Sequence, residues 1–139
     1  MNKLLFVDTS GWASFFVKTE PTHPQAVQTL ASAHHNKQTL ITSNYILLEL
    51  VALLASPLRQ PRSRIFQILN TIKTIPYIDI LHVTKELDHT AWSLCQARPD
   101  KPWSLADCSS FVIMQQMAIT TALTTDHHFE QAGYIRLLK

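Results

Sequence analysis

Four acidic residues lie far apart in the sequence, two of them at the ends of predicted strands and two of them early in predicted helices. They are Asp8, Glu49, Asp107 and Asp126. Brought together without cations, four carboxylates would repel one another and raise one another's pKa. Hard divalent cations such as Mg²⁺ and Mn²⁺ prefer oxygen ligands and would relieve that repulsion. The set therefore indicates a cation site, provided that the fold brings the four side chains to one place.

Each of these acids also has a local explanation that the residues alone leave open. Helix capping alone would explain Asp8, because Asp, Ser and Thr commonly cap the helix that follows them. Glu49, alone in an apolar helix, could be protonated, paired with a basic residue or bound to a cation. The cation is favoured, because buried charges are generally paired or metal-bound. Asp107 stands three residues after Ser104, the spacing of a capping box, although Asp is expected to reach back poorly compared with Glu or Gln.

The elements that must position these acids alternate between strands and helices. The pattern predicts strands at residues 4–7, 39–42, 77–83, 120–125 and 134–138. It predicts helices at residues 10–17, 24–35, 45–55, 65–72, 84–95 and 109–118. Such alternation favours an α/β fold with a parallel sheet and helices on both faces. Ligands of these sheets bind outside the carboxyl ends of the strands, where all four acids would meet.

The composition indicates one compact domain over residues 1–139. Hydrophobic residues make up 46% of the chain, while charged residues make up only 16%, so we expect a partner or a second copy to cover apolar surface. A formal charge of +2 is too small to argue for nucleic acid from bulk electrostatics. With Gly11 and Gly133 as the only glycines, a dinucleotide fingerprint and a P-loop are both excluded.

The sequence carries no pattern typical of secretion or of a membrane protein. Cys95 and Cys108 lie in apolar segments, which favours a reduced, intracellular chain over a disulfide framework. The apolar run before Asp8 is too short for a signal peptide, and Glu49 interrupts the longest apolar stretch. No Cys or His cluster has the spacing of zinc ligands. We therefore expect a soluble, cytoplasmic protein with no membrane span.

Three blocks of sequence together resemble the signature of a known family. They are FVDTS at residues 6–10, WSLADCSSF at 103–111 and LTTDHHF at 123–129. In order and spacing they are similar to the blocks of PIN-domain ribonucleases, and above all to VapC-type toxins of bacterial toxin–antitoxin pairs. The central block is the most specific of the three. The resemblance covers the chain from Met1 to about Tyr134 and implies one PIN domain, a three-layer α/β/α fold with a mainly parallel sheet of four to five strands.

The resemblance also implies a site and an activity. It makes the four acids both the metal ligands and the catalytic residues, with Asp8 and Asp107 the firmest and Asp126 sometimes replaced in the wider family. Ser10 or Ser104 would support them by orienting a ligand or a phosphate, although helix capping is the better explanation for Ser104. The implied reaction is Mg²⁺- or Mn²⁺-dependent hydrolysis of RNA that leaves a 3′-hydroxyl and a 5′-phosphate, with a second cation stabilising the leaving oxygen if one binds.

The partners implied are RNA, a cognate antitoxin and a second copy of the chain in a homodimer. Residues 59–72 would help to hold the antitoxin. Two positions depart from the family pattern: Ala106 stands where Thr is common, and Pro102 where a polar residue is more usual. Asp100 could assist from the rim of the site. The arginines before the fourth helix could contact phosphate or lie in a solvated loop, and they are Arg59, Arg62 and Arg64.

Two other functions are compatible with parts of this pattern. An aspartyl phosphatase of the haloacid-dehalogenase type would use Asp8 as its nucleophile. That chemistry usually has a second Asp two residues later, where this chain has Ser10. A non-catalytic RNA-binding PIN module would keep the fold, but the presence of all four acids counts against it. The RNA that is cut and the number of cations are not determined by the sequence.

Overall fold

The computed structural model describes residues 3–139 and contains a five-stranded sheet in which every neighbouring pair is parallel. The strands are β1 (Leu4–Val7), β2 (Thr39–Ser43), β3 (Ile78–Leu81), β4 (Thr121–Leu123) and β5 (Ile135–Arg136). They are arranged in the order β3-β2-β1-β4-β5. The predicted α/β class and its parallel sheet are confirmed, with the larger of the two expected strand numbers.

Helices connect these strands. They are α1 (Thr9–Phe16), α2 (His23–His35), α3 (Asn44–Ala55), α4 (Arg62–Thr74), α5 (Lys85–Ala97), α6 (Leu105–Gln116) and α7 (His128–Gln131). Helix α1 packs against α2 and α3, α3 against α4, and α5 against α6. The longest helices have 13 residues, and in the described part of the chain none has the length and apolar composition needed to cross a bilayer.

Strand β1 lies at the centre of the sheet and is almost completely buried. Leu5, Phe6 and Val7 are at most 2% exposed, as expected for a strand covered on both faces. Such a strand needs no polar alternation, which is why its sequence is a continuous apolar run. Asp8 follows directly and takes the N-cap position of α1. The polar end of this run is therefore at the carboxyl edge of the central strand.

The strand order places a topological switch point between β1 and β4. From β1 the chain adds β2 and then β3 on one side, and it later returns to add β4 and β5 on the other side. Connections that leave neighbouring strands in opposite directions open a crevice at their carboxyl ends, where ligands of α/β proteins bind. Asp8 follows one of these two strands and Asp126 follows the other, so both stand at this crevice.

Gly11 allows α1 to begin close to β4. It is buried within the first turn of α1, and a Cβ atom there would overlap the carbonyl oxygen of Leu123. The same carbonyl accepts a hydrogen bond of 3.2 Å from the backbone N–H of Asp8. Glycine is required here for close packing of the helix on the strand end, rather than for a turn before the helix.

Several element boundaries differ from the predicted ones. Strand β4 ends at Leu123 rather than at residue 125, and the last strand has only two residues. Helix α7 was not predicted. After β4 the backbone N–H groups are satisfied by side chains rather than by a neighbouring strand. Thr124 Oγ1 accepts a hydrogen bond from the backbone N–H of Asp126, and Asp126 Oδ1 accepts one from the backbone N–H of His128. Helix α4 begins at Arg62, so Arg62 and Arg64 lie in its first turn and not in a loop.

Candidate active site

Asp8 is the most buried acid of the molecule's central crevice. Its side chain accepts a hydrogen bond of 2.8 Å from Thr124 Oγ1, and the residue is 6% exposed. The pKa of this carboxyl is raised to about 7, chiefly by burial and to a smaller extent by the charges of Asp107 and Glu49. The hydrogen bonds from Thr124 and from the backbone of Thr9 oppose that rise. Asp8 occupies the N-cap position of α1, but its side chain makes no capping hydrogen bond. Helix capping therefore does not explain why an acidic residue stands at this position.

Glu49 reaches the same crevice from the middle of α3. Its Oε1 accepts a hydrogen bond of 2.9 Å from Thr9 Oγ1, and the residue is half-buried. Burial raises the pKa of Glu49, and the charges of Asp107 and Asp126 add to the rise, whereas the hydrogen bond from Thr9 lowers it. The Thr next to Asp8 therefore aims the glutamate towards the carboxyl edge of β1.

Asp107 belongs to a complete capping box at the start of α6. Its backbone N–H donates to Ser104 Oγ at 3.0 Å, and its Oδ2 accepts from the Ser104 N–H at 3.1 Å. The expectation that Asp would reach back poorly is wrong, because the aspartate closes the reciprocal bond. The same Oδ2 lies 3.0 Å from His128 Nδ1. Capping uses one oxygen, so the acid can cap the helix and still offer a ligand atom.

Asp126 lies in the turn between β4 and α7, three residues after the strand ends. Its Oδ1 accepts a hydrogen bond of 2.9 Å from the His128 N–H and lies 3.3 Å from His128 Nδ1. The side chain is 28% exposed, compared with 13% for Asp107. The prediction that Asp126 directly ends a strand is therefore wrong, although the turn still places it at the same edge of the sheet.

All four acids line one cavity of about 640 Å³ at the switch point. The rest of its lining comes from Thr9, Ser10, Ala52, Leu53, Thr125 and His127. Within residues 3–139, no Lys, Arg or His forms an ion pair with Asp8 or Glu49. Buried carboxylates that lack such a partner are stabilised by a bound cation or by a proton. The donor set, oxygen-rich and mutually repelling, fits a hard divalent cation.

The two histidines after Asp126 add nitrogen ligands that the sequence analysis did not consider. In the described residues, a compact group of three possible ligand atoms comes from Asp126, His127 and His128, all within 4.8 Å of one another. Asp8, Glu49 and Asp107 are more widely spaced around the cavity. The His127 side chain is 64% exposed, whereas that of His128 is 19% exposed and faces two carboxylates. The signal in the sequence was the pair itself, directly after a candidate ligand.

The two serines expected to support the site have different surroundings. Ser10 Oγ lies 3.1 Å from Thr124 Oγ1 and accepts from the Thr125 N–H at 2.9 Å, so it ties α1 to the turn after β4. Ser104 caps α6. Thr124 was missed as a site residue, yet its fully buried hydroxyl links Asp8 to the backbone of Asp126.

The remaining charged candidates lie outside the cavity. Asp100 is exposed and forms a bidentate pair with Arg98, with both N–O distances 3.0 Å. Arg64 donates to the Phe16 carbonyl at 3.0 Å, and the Arg62 guanidinium stands 5.0 Å from the ring centre of Phe66. None of these residues is among those that line the acidic cavity.

The sequence matches the family model of the PIN domain over residues 5–134. The chain belongs to the PIN domain family. The match includes all four acids and almost all of strands β1 to β4, so it confirms the resemblance to this family. The predicted three-layer PIN architecture is thereby confirmed.

Individual PIN proteins resemble this one over nearly their full length. It is 28% identical over 134 residues to the 23S rRNA-specific endonuclease VapC20 of Mycobacterium tuberculosis, covering 96% of this chain and 98% of that protein. The crystal structure of VapC20, described as a Sarcin-Ricin loop cleaving toxin, superposes with a TM-score of 0.85 and 27% identity, covering 97% and 99% of the two chains.

More distant structures share the PIN fold. FitAcB from Neisseria gonorrhoeae matches with a TM-score of 0.63 at 17% identity, covering 97% of this chain and 96% of that one. PAE2754 from Pyrobaculum aerophilum matches with a TM-score of 0.61 at 14% identity, covering 99% and 92%. At such identities the likeness supports the architecture alone.

Proposed function

We propose that this PIN domain, residues 1–139, is an endoribonuclease that depends on Mg²⁺ or Mn²⁺ and serves as the toxin of a toxin–antitoxin system. The observation that carries the proposal is the buried Asp8, which has no cationic partner in the described chain and shares its cavity with three further acids. The similarity to VapC20, an endonuclease named for 23S rRNA, supports RNA as the substrate. Since ribosomal RNA is cytoplasmic, we place the activity there.

The roles of the chain's own residues follow from their surroundings. Asp8 and Asp107 would be the principal ligands, with Glu49 and Asp126 completing the oxygen set. A bound divalent cation supplies a water of lowered pKa and a positive charge near the attacked phosphate. The carboxylate of Glu49, which the Thr9 hydroxyl orients and whose pKa is raised by burial, would be placed at the cation site to accept a proton.

The direct test is RNA cleavage by the purified protein with Mg²⁺ or Mn²⁺ and with a chelator. We expect cleavage only with the cation and its loss in Asp8→Asn. Asp100→Asn is the matched control, because Asp100 is an exposed carboxylate that lies outside the cavity and pairs with Arg98. A phosphorylated Asp8 trapped during turnover of a phosphate ester would instead support the phosphatase. RNA binding without cleavage would support the non-catalytic module.

The similarity to VapC20 also suggests the RNA. We propose that the substrate includes the sarcin–ricin loop of 23S rRNA, named in the description of the similar structure. The test compares intact ribosomes, an isolated loop oligonucleotide and tRNA at equal concentration. Selective scission of the loop is the expected result, and preferential tRNA cleavage would contradict it. The general nuclease assay above stays informative in either case.

A second surface suits a protein partner. A groove of about 670 Å³ runs along α3 and α4, lined mainly by apolar side chains. Leu48, Val51 and Phe66 are 73%, 41% and 53% exposed there.

We propose that the antitoxin is held in part by residues 59–72 and that α3 contributes to a homodimer. Phe66→Ser should weaken neutralisation by the antitoxin with cleavage unchanged, while light scattering of Leu48→Ser tests the dimer.

A further inference from the structure

The two cysteines of the chain face each other across the packed helices α5 and α6. Cys95 Sγ lies 2.9 Å from Cys108 Sγ, although the residues are 13 positions apart. Both are free thiols, Cys95 half-buried and Cys108 buried. Cys108 forms a small apolar cluster with Ala91 and Val112, separate from the main core. Neither thiol lines the acidic cavity, so the proposed nuclease chemistry leaves the pair without a role.

The position of the pair connects it to the acidic cavity. Cys108 directly follows Asp107 on α6, and Cys95 donates to the carbonyl of Ser104 at 3.6 Å. Ser104 is the residue whose N–H and hydroxyl form the capping box with Asp107. Cys95 therefore contacts the residue that caps α6, and Cys108 is the residue that follows the acid of its first turn.

We propose that Cys95 and Cys108 form a redox modification site that small-molecule disulfides oxidise to an intramolecular disulfide, and that this cross-link weakens cation binding at Asp107. The first part rests on the juxtaposition of the two sulfur atoms. The second part rests on the proposed function of the acidic cavity. Disulfides of intracellular proteins are usually transient and redox-sensing, which fits a reversible role.

The reaction is a double thiol–disulfide exchange. Cys95, the accessible thiol, loses its proton and attacks one sulfur of the reagent; the reagent's S–S bond breaks and its other half leaves as a thiolate. Cys108, after losing its proton, attacks Cys95 Sγ and displaces the second half as a thiolate. The protein loses two electrons and two protons, and the reagent gains them as two thiols. A dithiol reductant reverses both steps.

The cross-link would act on Asp107 through the backbone. Drawing the sulfurs together removes the Cys95 hydrogen bond to the Ser104 carbonyl and pulls the first turn of α6 towards α5. The position of that turn sets two distances of Asp107 Oδ2, which lies 3.1 Å from the backbone nitrogen of Ser104 and 3.0 Å from His128 Nδ1. Supporting contacts of metal ligands commonly contribute 10- to 100-fold in affinity, so we expect Mn²⁺ to bind about tenfold more weakly to the oxidised protein.

The experiment treats the reduced full-length protein with glutathione disulfide and then measures intact mass and free thiols. Wild type should lose two hydrogens and both thiols, and dithiothreitol should restore them. Cys108→Ser should hold one glutathione on Cys95, because the second exchange is blocked. Cys95→Ser should remain unmodified, because Cys108 is buried. A wild-type protein that keeps both thiols, or that carries only glutathione adducts, would overturn the proposed site.

Mn²⁺ binding to the reduced and oxidised forms, followed by electron paramagnetic resonance of free Mn²⁺, tests the consequence. We expect the loss of affinity in oxidised wild type and no change in Cys95→Ser given the same treatment. Equal affinities in the two wild-type forms would overturn the coupling to Asp107. Both readouts are independent of RNA cleavage, so they separate failure of this proposal from failure of the proposed nuclease.

Discussion

The imidazole of His128 lies 3.0 Å from the carboxylate of Asp107, although the two residues are 21 positions apart in the chain. The same ring is 3.3 Å from Asp126 Oδ1, so one side chain bridges acids from two different elements. A carboxylate oxygen accepts hydrogen bonds, so the tautomer with the proton on Nδ1 lets the ring donate in this contact. His128 thus fixes the distance between two of the proposed ligands, and it does so from the first turn of α7.

His128→Ala should lower Mn²⁺ affinity and RNA cleavage together, by about 10- to 100-fold, because the two carboxylates lose the group that orients them. Circular dichroism should show the fold unchanged, since the ring is not part of the apolar core. His127→Ala is the comparison, and its loss should be smaller, because its exposed ring is 3.9 Å from Asp126 and no ion pair joins it to Asp107 in residues 3–139. Equal losses in the two variants would contradict the positioning role of His128.

Thr124→Val tests the hydroxyl that serves both Asp8 and Asp126. Its bond to Asp8 lowers the pKa of that carboxyl, so removing it should raise the pKa further and weaken cation binding at neutral pH. We expect cleavage at pH 7 to fall about tenfold, with partial recovery at pH 8.5. Thr120→Val, at an exposed hydroxyl away from the cavity, should have no effect. A pH-independent loss would indicate a structural role instead.

Gly11→Ala should destabilise the fold by about 1–3 kcal/mol, because the new Cβ has no room beside the Leu123 carbonyl. The shift of α1 away from β4 would also move Asp8, so cleavage should decrease. Gly133→Ala is a useful comparison, since that residue has φ +95° and open space around its Cβ. It should lower the free energy of unfolding but leave cleavage intact. Urea denaturation and the cleavage assay distinguish the two.

The raised pKa of Asp8 predicts how the stability of the cation-free protein depends on pH. The carboxyl has a pKa of about 7 when folded and an ordinary value of 3.8 when unfolded. Between these values the folded state holds a proton that the unfolded chain has released, so stability present below pH 4 is lost as pH rises to 7. The loss is about 4 kcal/mol from this group, and Glu49 acts in the same direction.

Urea unfolding in chelator between pH 4 and pH 8 measures this dependence. Asp8→Asn removes the titrating group and should flatten most of the curve. A bound cation takes the place of the proton, so Mg²⁺ should stabilise wild type more at pH 8 than at pH 5. Identical pH curves for wild type and Asp8→Asn would show that Asp8 ionises normally.

The parts of the fold predicted correctly are those that local sequence determines. The run Leu4–Val7 was recognisable as a buried strand, because the signal lies within a few residues. The capping-box spacing from Ser104 to Asp107 likewise indicated the N-cap of α6, although the apolar pattern predicted the helix only from residue 109. The end of β4 and the presence of α7 were missed, since they depend on hydrogen bonds from Thr124 and Asp126. A turn of four residues carries no periodicity that could have revealed it.

Within the cavity, acids could be proposed from their positions relative to strands and helices, but their partners could not. The contact between Thr9 and Glu49 spans 40 positions, and that between Asp8 and Thr124 spans 116. Such pairs follow from the order of the strands and from helix packing, and a local stretch of sequence determines neither of them. The same holds for the pairing of Cys95 with Cys108.

The central claim is that Asp8 and Asp107 hold a divalent cation in the acidic cavity. Anomalous diffraction from crystals of the reduced protein grown with Mn²⁺ locates the ion directly. The account predicts a peak within coordination distance of both carboxylates, and its absence in crystals of Asp8→Asn. A peak bound instead by Asp126, His127 and His128, away from Asp8, would contradict it.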